Sequence, residues 1–318
     1  MHSKRFVIIS FYLFERVERK EQSVDIVGAT YLFFCIGTVM YMLVQFDRVT
    51  FFFLFLGACL FFLLFLWHER KTSHPILTFS LWKRTHIRYA NVASFTAGAM
   101  LLSVSTFLPT YVQGVLGKSP LIAGLTLTMT SIGWPLSALI AGRLMLKTSF
   151  RFTALLGGIG LMIGGAFFLT LPFLSHPLWA ACGSFFLGSG LGFSSTAFIV
   201  SIQSTVEWNV RGEATAMNMF MRLLGGAVGV AFLGGILNRR LERFFERQGD
   251  RFPFEADVET ITTLLDSAEK FQLSNDEWLL LQAGLSTSLS AVFIALFGLA
   301  VMSFIFITLL PKEDSTPF

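Results

Sequence analysis

Charge is what this chain has least of. Asp, Glu, Lys and Arg together make up 14% of its 318 residues. A soluble chain of that length needs far more charge to cover its surface, so a water-soluble domain is excluded. The net charge of +4 is small and gives no basis for a nucleic-acid partner. Cysteine is equally sparse: Cys35, Cys59 and Cys182 lie in apolar runs and form no CxxC pair. That argues against a disulfide framework or a metal site and leaves small packing residues as the reading. His68, His74, His86 and His176 read as unclustered loop residues, without metal-ligand spacing. A cleavable leader is missing too. Phe6–Phe14 is apolar but ends in Glu15 and Arg16, with no small-residue cleavage site. Nine residues are too few for about 30 Å of hydrocarbon, so the segment reads as the stub of a preceding transmembrane helix.

Apolar side chains fill the chain instead, at 54% of residues with 37 phenylalanines and a mean hydropathy of +0.67. Eight apolar runs stand out, near 26–46, 49–67, 89–112, 120–142, 152–174, 178–204, 214–237 and 284–310. Each has the roughly 20 residues a spanning helix needs. Backbone groups in lipid must be satisfied within their own segment, so helix is the expected state. The predicted fold is an all-α polytopic membrane bundle of about eight transmembrane helices. Ser119-Pro120 and His176-Pro177 read as helix starts. Trp67, Trp179, Trp208 and Trp278 sit near run ends, at headgroup level, whereas Trp134 lies well inside a run.

The expected organisation is a stub and linker over 1–25, two helices over 26–67, an interfacial linker over 68–88, a six-helix bundle over 89–310 and a tail over 311–318. Orientation follows from the short loops. One alternating set carries Arg16, Arg19, Lys20, Arg70, Lys71, Lys83, Arg84, Arg88, Arg143, Lys147, Arg151, Arg211 and Lys312, and the other only Arg48 and Lys118. The positive-inside rule places the first set, and the C-terminus, in the cytoplasm. Loop 238–283 then lies outside; it carries six bases and ten acids, and long loops obey the rule poorly. Leu241, Phe244, Phe245 and Phe252 read as the apolar side of a short helix on the membrane surface. A second helical piece is expected over 256–271. Ile76, Phe79, Leu81 and Trp82 read either as an interfacial helix in the other loop or as part of a solvated linker.

The densest motif spans 211–236. It contains Arg211, Gly212, Glu213 and Arg222, then Leu224, Gly225, Gly229, Ala231 and Gly234. Small residues at this spacing let another helix approach closely. The pattern resembles the penultimate helix of the fourteen-helix drug:proton antiporter branch of the major facilitator superfamily, the EmrB/QacA type. Other stretches agree in order. Asp25, Gly28 and Leu32 resemble the signature opening the branch's first extra central helix. Pro109, Tyr111, Gln113, Gly117, Ser119-Pro120 and Ala123-Gly124 resemble the link between the first two helices of its second bundle. Gln203 and Val206 resemble the end of that bundle's fourth helix. Gly142, Arg143 and Arg151 are similar to the superfamily's hinge motif, although its acidic position is Leu146 and its second glycine Ser149.

The resemblance implies two extra central helices followed by a C-terminal bundle, with five and a half helices of a first six-helix bundle missing before Phe6. It implies export of lipophilic or cationic compounds by proton antiport, in an inner membrane, with a periplasmic adaptor as a further partner. It implies no enzyme activity and no cofactor beyond the proton gradient. A carrier of another solute, such as a metabolite or siderophore, and a non-transporting truncated product remain alternatives.

Ionisable groups at bilayer depth are costly and are functional candidates by default. Arg222, about nine residues into its run, is the clear case: either a cavity cation or a structural, snorkelling arginine. Asp25, Glu207 and Glu213 sit at run ends, and no carboxylate lies mid-run. Proton coupling needs a titrating group at depth, so the chain is expected not to couple alone. Gln113, Trp134, Gln203, Asn91 and Tyr111 are cavity candidates, with Ser103, Thr106, Thr130, Ser195 and Met217 behind them. Two nucleotide-site lookalikes fail. Gly117-Lys118-Ser119 has Val112 where a phosphate loop needs glycine, and Gly188, Gly190 and Gly192 sit inside an apolar run as packing residues.

Overall fold

The computed structural model describes residues 25–44, 47–72, 79–247 and 275–311. The stub at Phe6–Phe14, Ile76, Phe252 and the piece expected over 256–271 lie outside them. Everything long within the described residues is helical: α1 (Ile26–Val44), α2 (Arg48–Glu69), the single turn α3 (Phe79–Trp82), α4 (Thr85–Thr110), α5 (Pro120–Met145), α6 (Phe150–Leu174), α7 (Pro177–Thr205), α8 (Arg211–Glu246) and α9 (Asn275–Thr308). Eight of these are long and apolar enough to cross a membrane.

Local chemistry sets the helix ends. Asp47 caps α2 by accepting the Thr50 amide at 2.8 Å, and Ser149 caps α6 by accepting the Phe152 amide at 3.2 Å. Pro120 and Pro177 occupy the first turns of α5 and α7, where a missing N–H costs nothing. Helix α6 stops at Ser175, which takes the left-handed conformation at φ 41°. Helix α4 does not stop at Thr110. It runs on as a π-turn over Tyr111–Val115, with the Leu116 amide reaching the Tyr111 carbonyl at 3.1 Å. Pro109, inside α4, cannot donate to the preceding turn, and such a weakened ladder is where a π-turn forms.

Helices α4–α9 form one bundle. Its chief pairs are α4 with α8, α5 with α7, α6 with α7, α6 with α9 and α4 with α9. Exchanging α4, α5 and α6 with α7, α8 and α9 maps these pairs onto one another. The two triplets start at opposite ends, so the bundle is an inverted repeat. Lipid tails give no hydrophobic drive between helices, so backbone proximity must hold the pairs together. A Cβ at Gly225 would run into the Phe95 carbonyl of α4, and one at Gly229 would lie 2.5 Å from Ala99 Cβ. Gly188 and Gly192 give α7 the same closeness to Thr130 and Trp134 of α5, and Gly190 to Leu161 of α6. The glycine-rich stretch of α7 is therefore a two-sided packing surface, not a nucleotide turn.

Helices α1 and α2 pair with each other, and α1 leans on α8, where the Leu43 carbonyl meets Gly235. Most of their phenylalanines face outward, as lipid-facing helices require.

Three expectations need correction. The apolar run expected to end near 237 continues as helix to Glu246. Leu241 and Phe245 join the core with Leu281 and Leu285, so this segment is not a separate helix lying on the membrane. Helix α8, at about 1.5 Å per residue, is longer than the hydrocarbon is thick, and its last turns pack on the equally extended α9. In the linker, Leu81 is buried among Ile87, Phe198 and Ile202, with Trp82 against it. It plugs one end of the bundle instead of skimming lipid. Finally, His68 and His86 belong to helices α2 and α4 rather than to loops.

Candidate functional site

Arg222 sits where three helices meet. The bare Cα of Gly98 on α4 lets the Arg222 backbone close in, and a Cβ there would lie 3.0 Å from Arg222 Cγ. From that platform the side chain crosses to α5, where its guanidinium stands over the Trp134 ring, 5.3 Å from the centroid. The head is half-buried. Among the described residues no carboxylate pairs with it and no acceptor binds its five N–H groups. The ring face offsets part of the charge, by about 1–2 kcal/mol once desolvated. Trp134 is followed by Pro135 inside α5, which removes the amide that would bond the Ser131 carbonyl. One turn along from Gly98 and from Arg222, Leu102 and Met219 are 40% and 42% exposed. The arrangement can hold an anionic or aromatic group against an apolar wall.

Gln203 lies toward the end that carries Arg143. Its Nε2 donates to Thr215 Oγ1 at 3.2 Å. Together they line an open cleft of about 560 Å³ with Trp208, Arg211, Gly212 and Met219. Arg211 stacks on Trp208 at 5.2 Å and reaches the Val206 carbonyl. Sequence reading placed Gln203 and Arg211 in separate motifs, and the turn between α7 and α8 brings them to one wall.

Other candidates are held in packing. Asn91 is fully buried, and its Oδ1 accepts from Asn218 Nδ2 at 2.9 Å. Asn218 Nδ2 also reaches Ser94 Oγ at 2.9 Å, so these residues form a buried polar clasp between α4 and α8. Sequence reading missed Asn218; the signal was a lone amide in an apolar run. Tyr111 is fully buried, donates to the Leu171 carbonyl at 3.3 Å and meets Phe293 edge-on at 5.3 Å. Gln113 is half-buried on the π-turn. Ser103 and Thr130 are buried without a hydrogen-bond partner among the described residues. Met217 is buried, Ser195 half-buried, and Thr106 bonds back to its own helix.

The motif residues divide in the same way. Asp25 accepts the Gly28 amide at 2.9 Å and the His68 ring at 2.8 Å, tying α1 to α2. Gly28 has no room for a Cβ beside that carboxylate; Leu32 is half-buried. Burial by itself raises the Asp25 pKa, but the Gly28 amide, the His68 ring and the Val27 amide outweigh it and leave the group below its ordinary value. Arg151 donates to the Thr308 carbonyl at 2.8 Å, joining α6 to α9, while Gly142 and Arg143 are exposed. Gly225 and Gly229 face α4, Leu224 is half-buried, Ala231 is buried, and Gly234 is in ordinary contact with Phe107.

A sequence model described as the Major Facilitator Superfamily matches residues 22–230. Multidrug resistance protein 3 of Bacillus subtilis is 29% identical over 237 residues, covering 73% of this chain and 46% of the relative. Quinolone resistance protein NorB of Staphylococcus aureus is 30% identical over 182 residues, covering 55% and 38%. The chain spans less than half the length of either relative. Among solved structures, the E. coli fucose:proton symporter FucP superposes with a TM-score of 0.53 at 17% identity, over 73% of this chain and 51% of that one. A bacterial homolog of the lysosomal transporter Spinster, inward-facing and occupied, gives 0.54 at 12% identity, over 89% and 64%.

Proposed function

The chain belongs to the major facilitator superfamily, and from that premise we propose that it forms the second half of a drug:proton antiporter of the fourteen-helix branch. It is a multi-pass membrane protein and a secondary transporter by family. The finer reading is that lipophilic or cationic compounds leave the cell in exchange for protons. The observation that carries it is Arg222 seated over Trp134 at the junction of α4, α5 and α8. Two relatives named for drug resistance support it.

In this reading a second six-helix bundle, whichever chain carries it, faces α5 and α8 and supplies a carboxylate to Arg222. The guanidinium holds that carboxylate ionised. A proton entering from outside neutralises it and frees the arginine, and the two bundles rock about the site. Trp134 and the apolar wall beside it receive the aromatic, lipophilic part of the drug, whose positive centre stays clear of Arg222. Gln203, Trp208 and Arg211 line the cytoplasmic mouth. The C-terminus is cytoplasmic in the inner membrane, by the basic short loops. A periplasmic adaptor would extend the route outward.

The test supplies the second bundle in everted vesicles and compares uptake driven by an imposed pH gradient for a lipophilic cationic dye, a quinolone and a hexose. Uptake of the dye or the quinolone, abolished by an uncoupler, is the expected result. Uptake of the hexose alone would make the chain a carrier of another solute and overturn the drug assignment.

A further inference from the structure

At the end that carries Lys118, a groove of about 370 Å³ runs between α8 and α9. Arg239, Arg240 and Arg243 form its rim, and Ile236, Ala291 and Ile294 its floor. The rim residues follow one another at helical spacing on one side of α8. All three are exposed, as is Ile294. Among the described residues no acidic side chain lines the groove.

The position of the groove relative to the bilayer decides what fits it. Helix α8 enters the hydrocarbon after Glu213, and about 20 residues of helix cross it. That brings the far boundary near Leu233–Leu237, with the arginines about one turn beyond. Counting the same way back from Thr308 along α9 puts the boundary near Ser288, so Ala291 and Ile294 lie just inside the hydrocarbon. The rim is therefore at headgroup depth and the floor at the start of the acyl chains. A free anion would use the rim and leave the apolar floor unfilled. A zwitterionic lipid would use the floor and bring no net charge to the rim.

We propose that this groove is a binding site for an anionic phospholipid of that leaflet, its phosphate held by Arg240 and Arg243 and one acyl chain laid along Ile236 and Ile294. The groove lies between α8 and α9, and its occupancy is read on the chain alone, apart from the transport reading. A bound lipid would brace the ends of α8 and α9 where they leave the membrane.

The test uses the full chain purified in dodecyl maltoside and titrated with phosphatidylglycerol, phosphatidylcholine or inorganic phosphate, with retained lipid read by native mass spectrometry. Phosphatidylglycerol is expected to stay bound at concentrations where phosphatidylcholine does not. The double variant Arg240→Gln, Arg243→Gln should weaken it about thirty-fold, the loss of two basic groups at about 1 kcal/mol each. Ile294→Trp fills the floor without touching any charge and should weaken it as well. Equal retention of phosphatidylcholine, or undiminished phosphatidylglycerol in the variants, would overturn the proposal. So would displacement by inorganic phosphate as complete as by phosphatidylglycerol, because that describes a free-anion site. If the double variant does not fold, the Ile294→Trp comparison and the lipid series decide.

Discussion

Arg222 brings a full positive charge to bilayer depth and meets a ring there instead of a carboxylate. A purely structural arginine would be expected to spend its N–H groups on backbone carbonyls, and Arg222 spends none on the described residues. Replacing Trp134 with Leu in the assembled carrier should slow proton-driven efflux about tenfold, the loss of about 1.4 kcal/mol of ring–cation attraction. Arg222→Ala should abolish it at normal protein level; unchanged efflux would remove Arg222 from the mechanism. Asp25 works differently. Its carboxyl is held below its ordinary value, so its contribution to stability is complete above the unfolded carboxylate pKa near 3.9 and is lost as pH falls through the lower folded value. Asp25→Asn keeps an oxygen for the Gly28 amide but loses the carboxylate charge beside the His68 ring, so it should lower the melting temperature of the detergent-solubilised protein at pH 7 by the loss of an ionic contact worth about 0.5–1 kcal/mol. The difference should close as pH drops below the carboxylate range, and a difference that stays constant with pH would contradict the Asp25–His68 tie. The acid at Asp25 was legible as a motif, but its partner 43 positions away was not, since nothing local in α2 marks His68.

At the scale of elements, glycine spacing was the readable signal and its geometry was not. The small residues of α8 announced a close neighbour, but only the fold names α4 as that neighbour, with Phe95 against Gly225 and Ala99 against Gly229. Gly225→Ala should therefore destabilise the α4–α8 pair by about 1–3 kcal/mol through overpacking. Gly298, in α9, has nothing within 4 Å of a new Cβ, so Gly298→Ala should be neutral or slightly stabilising. Thermal melts of the two variants in one detergent check the contrast; equal losses would mean that closeness is not what holds the pair. Hydropathy placed all eight spanning helices, because lipid dictates both length and state. It ended α8 too early, since Arg239 and Arg240 read as a loop when counted as charge. Those residues continue the helix because Leu241 and Phe245 are buried against α9, a long-range contact with no local trace. Tyr111 and Asn91 looked like cavity residues for a similar reason. Polarity in an apolar run marks a residue that needs a partner, and whether that partner is a substrate or another helix is settled by packing.

At the scale of the whole molecule, α4–α9 form an inverted repeat, with α1 leaning on α8 and α2 paired to α1, and among the described residues Arg222 at the helix junction has no carboxylate partner. On the proposed function the cation is here, and the carboxylate that answers it is supplied by a second bundle. The most direct measurement places the purified chain alone in sealed vesicles with a pH gradient and a lipophilic dye. The account predicts that dye reaches its passive equilibrium and no more, and that accumulation beyond it begins when a second bundle is supplied. Uphill accumulation by the chain on its own would contradict it.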